Sequence, residues 1–140
     1  MSGLIKTTAM AVFLLAALLM IPGTGLAQEP VSEIQVEITF GTDVDKETRM
    51  VIGEATTFGT DLERIFCLTR IIGIEPPANV THAWYYEGKT MARVDLKVGS
   101  PDWRTWSSKR YLPAWTGHWE VKVLDEAGKV LASAGFDIQQ

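Results

Sequence analysis

The sequence contains few of the side chains on which enzymes and metalloproteins depend. Cys67 is the single cysteine, so no disulfide can form within the chain, and its apolar surroundings are typical of a buried small side chain. His82 and His118 are the only histidines, and no CxxC or HxxxH spacing accompanies them. Ser107 and Ser108 lack a GxSxG elbow. We therefore expect a non-enzymatic protein with no catalytic residues, no cofactor and no metal. A serine, a histidine and an acid that meet only in space would leave an enzyme as a third possibility.

Long apolar runs are also rare, because the only one extends from Ala9 to Ile21. Lys6 precedes this run, Pro22 and Gly23 follow it, and Ala27 supplies a small residue for cleavage. With 13 residues, the run is shorter than the roughly 20 that a helix needs to cross a membrane. The pattern predicts a helical signal peptide over residues 1–27 and a periplasmic or secreted protein. An uncleaved signal anchor is the alternative, and it would be the only attachment to a membrane.

The remaining residues, 28–140, are enough for one domain. The whole chain carries 13 basic and 17 acidic side chains, a net charge of −4 with neutral histidines, which makes nucleic acid a poor partner. The charge is uneven, since acids dominate from Glu29 to Glu63 and bases dominate from Lys89 to Arg110. This asymmetry indicates two surfaces of opposite sign.

Alternation of apolar and polar residues with a period of two predicts an all-β domain. Residues 41–61 are expected to form loops around a short edge segment. No helix is predicted after the signal segment, and the natural architecture is an antiparallel, two-sheet, immunoglobulin-like sandwich, with an open barrel as the alternative. The seven predicted strands cover residues 34–40, 64–72, 79–86, 90–98, 103–109, 118–124 and 130–138.

The register of the hairpin near Gly88 can be predicted from its apolar positions. A two-residue loop would pair Trp84 with Met91 and turn the apolar residues of the second strand toward water. A three-residue loop over Tyr86–Gly88, with Gly88 in a left-handed bulge, pairs Trp84 with Thr90 and brings the apolar sets together. We therefore predict the three-residue loop.

The last hairpin is predicted to turn over four residues, Asp125–Gly128, which pairs Val123 with Val130 and Trp119 with Ala134. The small alanine would leave room for the indole. Both hairpins then contribute to one core, whose predicted members are Trp84, Val94, Leu96, Trp119, Val121 and Phe136.

Three separated blocks resemble the bacterial domain-of-unknown-function family 2914. The blocks are His82-Ala83-Trp84, the segment from Trp103 to Lys109, and Gly117 to Val121, the last followed by Asp125, Gly128, Val130, Leu131 and Phe136. The likeness covers about residues 62–138. It implies an envelope-associated or membrane-attached bacterial sandwich domain, and it brings no catalytic residues with it.

One strand combines aromatic and basic side chains in a way that is typical of a binding edge. Its candidate binding residues are Trp103, Arg104, Trp106, Lys109 and Arg110. Arginine can hold a carboxylate or phosphate group bidentately. Trp103 and Trp106 are three residues apart and so point to opposite faces of a strand, which makes one of them a core residue. We expect this edge to bind a partner protein or an envelope component. A carbohydrate or peptidoglycan ligand is the alternative, and a charged strand edge that only prevents aggregation would explain the same residues.

Overall fold

The protein is described by a computed structural model that covers residues 33–140. The predicted signal peptide lies outside the described residues. Every regular element between residues 33 and 140 is a β-strand. In the same range no helix is long and apolar enough to cross a membrane. The strands are β1 Gln35–Gly41, β2 Asp43–Asp45, β3 Met50–Ile52, β4 Thr57–Gly59, β5 Arg64–Ile72, β6 Ala78–Tyr86, β7 Lys89–Val98, β8 Asp102–Arg110, β9 Gly117–Leu124 and β10 Val130–Gln139.

Two sheets pack face to face and form a sandwich. One has three strands in the order β1-β5-β8, and the other has five in the order β4-β10-β9-β6-β7. The largest buried cluster draws Phe40, Ile65 and Cys67 from the first sheet and Trp84, Trp119, Val121, Phe136 and Ile138 from the second. The predicted all-β sandwich is therefore confirmed. All seven predicted strands are present, and each end agrees with its prediction to within one residue.

The region between residues 41 and 61 contains more strand than predicted. Strands β2, β3 and β4 have three residues each, and β2 pairs with β3 as a separate hairpin. Strand β4 pairs with β10 in parallel, so the second sheet is not wholly antiparallel. The pattern missed these strands because three residues give too little alternation, and only Val44 in β2 and Phe58 in β4 are fully buried.

The predicted register of the β6–β7 hairpin is wrong. Tyr86 pairs with Lys89 around a two-residue loop, and Trp84 pairs with Ala92 instead of Thr90. Glu87 and Gly88 have φ values of 47° and 79°, which is the left-handed pair of a type I′ turn. The ladder shifts by one residue next to Trp84, so Met91 forms a bulge. The bulge returns the apolar residues to the core side, which the prediction had achieved by lengthening the loop.

The predicted pairing of the last hairpin is also wrong, although its faces are correct. A bulge between Val130 and Ala132 moves the register, so Ala132 opposes Val123 and Phe136 opposes Trp119. The rings of Trp119 and Phe136 are stacked, with centroids 6.1 Å apart and an angle of 8° between their planes. The space beside the indole is thus filled by an aromatic ring and is not left open by an alanine.

Four of the six predicted core residues are fully buried, namely Trp84, Trp119, Val121 and Phe136. Val94 and Leu96 are only half-buried, because β7 lies at the edge of the five-stranded sheet. Cys67 is a free, fully buried thiol, and burial raises its pKa. A thiol in this environment behaves as a small apolar side chain.

Candidate functional site

Alternation along β8 divides the predicted binding residues between two faces. Ser107 is buried and hydrogen-bonds to His82 of the opposite sheet, so the odd-numbered residues of β8 point inward. Arg104, Trp106 and Arg110 therefore share the outer face of the three-stranded sheet. Trp106 is half-buried there and Arg110 is exposed.

Trp103 and Lys109 belong to the other side of β8. Trp103 is half-buried and packs against a core cluster that contains Ile71, and the guanidinium of Arg49 lies 4.8 Å from the centroid of its ring. Lys109 donates a hydrogen bond to the carbonyl of Arg110, and its ammonium lies 5.4 Å from the ring centroid of Trp115. Both side chains have neighbours within the chain, so the structure does not place them with the three outer residues.

The neighbouring strand β5 adds two arginines that the sequence reading did not include. The register places Arg70 opposite Arg104 and Arg64 opposite Arg110. Two residues of like charge that face each other across a ladder destabilise a sheet. We define the arginine face as these four residues, Arg64, Arg70, Arg104 and Arg110. A shared spacing of six residues, from 64 to 70 and from 104 to 110, is the signal in the sequence, but it becomes visible only when the register is known.

Each arginine of β5 has a neutralising or polar partner. Arg70 donates to both carboxylate oxygens of Asp102, at 3.0 and 2.8 Å. This hydrogen-bonded pair raises the pKa of Arg70 and lowers the pKa of Asp102. Arg64 donates to the hydroxyl of Ser108 at 2.7 Å. The side chains on β5 are thus held in position beside their counterparts on β8.

Apolar residues separate the two arginine pairs. Leu68 pairs with Trp106 and Phe66 pairs with Ser108 on the same outer side. Leu68 is buried although it points away from the larger sheet. The β2–β3 hairpin contacts β5 without joining its ladder. The arginine face therefore has two ends, about 20 Å apart at 3.3 Å per residue, around an aromatic and aliphatic middle. Arg64 and Arg110 form one end, and at the other end Asp102 and Glu37 lie near Arg70 and offset its charge.

A buried network of hydrogen bonds crosses the sandwich behind β8. Trp84 Nε1 donates to Ser107 Oγ at 3.1 Å, and Ser107 Oγ lies 2.6 Å from His82 Nδ1. His82 Nε2 lies 3.1 Å from Thr69 Oγ1, which donates to the carbonyl of Thr105 at 3.4 Å. Among these contacts, only a proton on Nε2 gives every hydroxyl and ring proton an acceptor. Each group then donates a hydrogen bond to the next one, in the order Trp84, Ser107, His82, Thr69 and the carbonyl of Thr105.

This hydrogen-bond network brings a serine and a histidine together, yet its buried surroundings indicate a structural role. His82 and Thr69 have no exposed surface, and Ser107 is 6% exposed. No carboxylate is among the hydrogen-bond partners of His82 in the described part of the chain. Burial lowers the pKa of His82 to about 4, so the imidazole is neutral at neutral pH. The contacts join strands β5 and β8 of one sheet to β6 of the other.

A concavity of about 280 Å³ lies on the outer face of the five-stranded sheet. Tyr85 provides a half-exposed ring, and the ammonium of Lys122 lies 5.0 Å from its centroid and 3.6 Å from a carboxylate oxygen of Glu120. His118 contacts Asp137 at 3.0 Å, and its backbone N–H donates to Glu87 at 3.1 Å. Between residues 33 and 140 no three His, Cys, Asp or Glu side chains are grouped as metal ligands would be. The residues lining the concavity are Tyr85, Glu87, Gly88, His118, Glu120 and Lys122.

Residues 77–138 match the family described as "Protein of unknown function (DUF2914)". Over these residues the match confirms the resemblance to that family. The DUF2914 match begins just before β6 and ends in β10, so it includes β6 to β9 and most of β10. The resemblance noted from the sequence extended further toward the N-terminus than this match. No curated protein matches the chain in sequence.

Several solved structures share the sandwich architecture at low sequence identity. One is a CARDB domain from Pyrococcus furiosus in complex with di-metal ions, at 16% identity and a TM-score of 0.45, covering 76% of this chain and 90% of that chain. Another is a β-glucosidase from Listeria innocua in complex with glucose, at 7% identity and a TM-score of 0.41, covering 76% of this chain and 16% of that chain. A mutant of the same enzyme in complex with laminaribiose matches at 8% identity and a TM-score of 0.39, with the same coverage.

Proposed function

We propose that the protein is an exported, non-enzymatic binding domain whose arginine face holds an acidic surface of a partner protein or another anionic component of the envelope. The observation that carries this proposal is the pair of Arg–Arg positions, Arg70 with Arg104 and Arg64 with Arg110. Like charges across a ladder cost stability, and an anionic partner offsets that cost. Asp102 already offsets the charge of Arg70, so the argument is strongest for Arg64 with Arg110. Export is supported by the apolar run Ala9–Ile21 in the sequence.

The shape of the face suits a protein partner. The two arginine pairs fix orientation through charged hydrogen bonds, and Trp106 and Phe66 between them supply half-buried aromatic surface. Tryptophan and arginine are the side chains that most often contribute large shares of binding energy at interfaces. A mixed face of this kind discriminates partners by the spacing of their acidic groups.

The double variant Arg104→Gln and Arg110→Gln tests the arginine face. We expect at least a tenfold loss of partner adducts when the variant is crosslinked in the producing cells, because each charged hydrogen bond contributes about 1.5–3 kcal/mol. The measurement is the yield of adducts relative to the native sequence, with thermal unfolding recorded for both proteins.

A matched control is available on β7, where Arg93 and Lys97 are exposed. The double variant Arg93→Gln and Lys97→Gln changes the net charge by the same amount, and we expect it to retain the adducts. If both double variants lose adducts equally, the effect is one of net charge. If neither loses them, the arginine face is not the binding surface.

Carbohydrate binding is the second candidate, and the concavity around Tyr85 favours it. An aromatic ring beside the carboxylates of Glu87 and Glu120 matches the alternating apolar faces and hydroxyl groups of a sugar ring. A volume of about 280 Å³ is at the small end of ligand sites, which suits one ring.

The variant Tyr85→Ala tests this alternative on purified peptidoglycan. If a sugar packs on the ring, we expect retention of the protein to fall up to about tenfold, since aromatic contacts of this kind contribute about 0.5–1.5 kcal/mol. Tyr85→Phe keeps the ring and is expected to bind like the native sequence. Equal retention of all three proteins would reject the concavity as a sugar site.

A further inference from the structure

One edge of strand β10 is unpaired over most of its length. Strand β9 pairs with β10 from Val130 to Ile138, whereas β4 pairs with β10 only from Asp137 to Gln139. Within residues 33–140, no strand therefore pairs with the β4 side of β10 from Val130 to Phe136. An unpaired edge of this length presents a row of free N–H and C=O groups.

The direction of these groups follows from the last bond on the same side. The N–H of Asp137 donates to the carbonyl of Thr56 at 2.9 Å, so it points toward β4. Backbone amides two residues apart on a strand point the same way. The N–H groups of Ser133 and Gly135 consequently face the open side, and they continue the track that the chain itself occupies at Asp137. Leu131 lies in the bulge, where the alternation is interrupted.

A groove lies beside this edge at Ala134 and Gly135. Strand β1 of the three-stranded sheet pairs only with β5, and its other edge contacts β10. Between the two strands lies a cavity of about 390 Å³. Its wall includes Ile38 and Phe40 from β1 and Ala134 and Gly135 from β10. The groove therefore combines apolar side chains with an accessible backbone.

Apart from the bulge at Leu131 and the contacts with β1, the edge of β10 lacks the devices that protect strand edges. The residues from Val130 to Gly135 are Val, Leu, Ala, Ser, Ala and Gly, without charge or proline. The opposite edge of the same sheet, β7, carries Arg93, Asp95 and Lys97 as exposed side chains. The contrast indicates that charged side chains disfavour strand pairing at the β7 edge, whereas the β10 edge can accept another strand.

The charge around the groove selects the occupant. Glu54 is the charged residue that lines the cavity beside Gly135. A second concavity, of about 340 Å³, lies beside Ile34, just before β1, and is lined by the charged residues Glu75, Asp125 and Glu126. The charged lining residues of both concavities are thus all acidic. A strand that carries lysine or arginine fits this side of the molecule.

We propose that the edge of β10 from Val130 to Gly135 binds an extended, basic segment of a partner protein by strand addition. The segment continues the track of β4 and hydrogen-bonds to the amides of Ser133 and Gly135. Its apolar side chains enter the groove toward Ile38 and Phe40, and its basic side chains reach Glu54. In strand addition the backbone bonds supply affinity, and alternate side chains supply specificity.

The experiment uses the full domain and two synthetic eight-residue peptides, one alternating valine with lysine and the other alternating valine with glutamate. Amide hydrogen exchange is followed by NMR. We expect the lysine peptide to slow exchange at least tenfold at Ser133 and Gly135. The amides of Ala132 and Ala134 point toward β9 and are expected to change little. The glutamate peptide is expected to have no effect, and equal protection by both peptides would overturn the proposed charge selection.

Two variants keep the test sharp. Ser133→Pro removes one outward N–H and is expected to weaken lysine-peptide binding at least tenfold, whereas Ser133→Ala keeps the N–H and the affinity. Glu54→Lys changes no backbone group and is expected to weaken binding by a similar factor. Unchanged affinity in Ser133→Pro and Glu54→Lys would overturn the proposal. Protection that grows with protein concentration in the absence of peptide would also overturn it, since a second copy would then occupy the edge.

Discussion

Replacement of Trp119 by alanine is expected to lower the free energy of unfolding by about 3–5 kcal/mol. The side chain is 1% exposed, stacks on Phe136 and donates its indole N–H to the carbonyl of Trp115 at 3.1 Å. Alanine would leave a cavity bounded by rings from two strands and the β8–β9 loop, and the carbonyl of Trp115 would lose its partner. The loss is a large share of the roughly 5–15 kcal/mol that stabilises a small domain. Urea unfolding at pH 7 measures it.

The matched control for this substitution is Leu112→Ala. Leu112 is another large apolar residue but is 54% exposed, so its truncation is expected to change stability by less than about 0.5 kcal/mol. A loss below about 1 kcal/mol for Trp119→Ala would show that the indole does not hold the two hairpins together.

Acidification from pH 6.5 to pH 4 is expected to remove about 3 kcal/mol of stability through His82. Burial lowers the pKa of this imidazole from 6.5 to about 4 in the folded protein. Between those values the unfolded chain binds more protons than the native chain, so stability falls as the pH falls. The contribution is complete above pH 6.5 and stops changing below pH 4. Protonation of Nδ1 would also leave the hydroxyl proton of Ser107 without its acceptor.

The two histidines provide the comparison for this effect. His82→Gln is expected to lower stability at pH 7 and to remove the decline between pH 6.5 and 4. His118→Gln, at an exposed imidazole, is expected to keep that decline. Asp45 and Asp102 have lowered pKa values, so their contributions are lost only as the pH falls through and below about 4, equally in both variants. Parallel pH curves for the two variants would contradict the assignment to His82.

The sequence predicts the long strands well because their alternation is strong over seven to ten residues. It does not predict the register of the hairpins, since a bulge changes pairing without changing which residues face the core. Met91 illustrates the point: either a longer loop or a bulge keeps Trp84 inside, and the apolar pattern does not distinguish them. The geometry of Glu87 and Gly88 decides in favour of the bulge.

The candidate site was predictable in part for the same reason. The pattern of β8 identifies Arg104, Trp106 and Arg110 as one face and separates Trp103 from Trp106. It contains no information about which strand lies beside β8, so Arg64 and Arg70 were missed. The open edge of β10 was equally hidden, because strand order, and not composition, determines which edges are left unpaired.

The series of hydrogen bonds from Trp84 to Thr105 has a single donor direction, and this affects how the two sheets are aligned. Apolar contacts allow one sheet to shift against the other, whereas hydrogen-bond donors and acceptors at fixed positions do not. A displacement of one sheet by one residue pair would leave several buried polar atoms without hydrogen-bond partners, and each such atom costs about 1–3 kcal/mol of stability. The hydrogen bonds from Trp84 to Thr105 thus favour a single alignment of the two sheets. Evolutionary exchange at Thr69, His82 or Ser107 is consequently expected to occur in concert, with compensating changes at the other two positions.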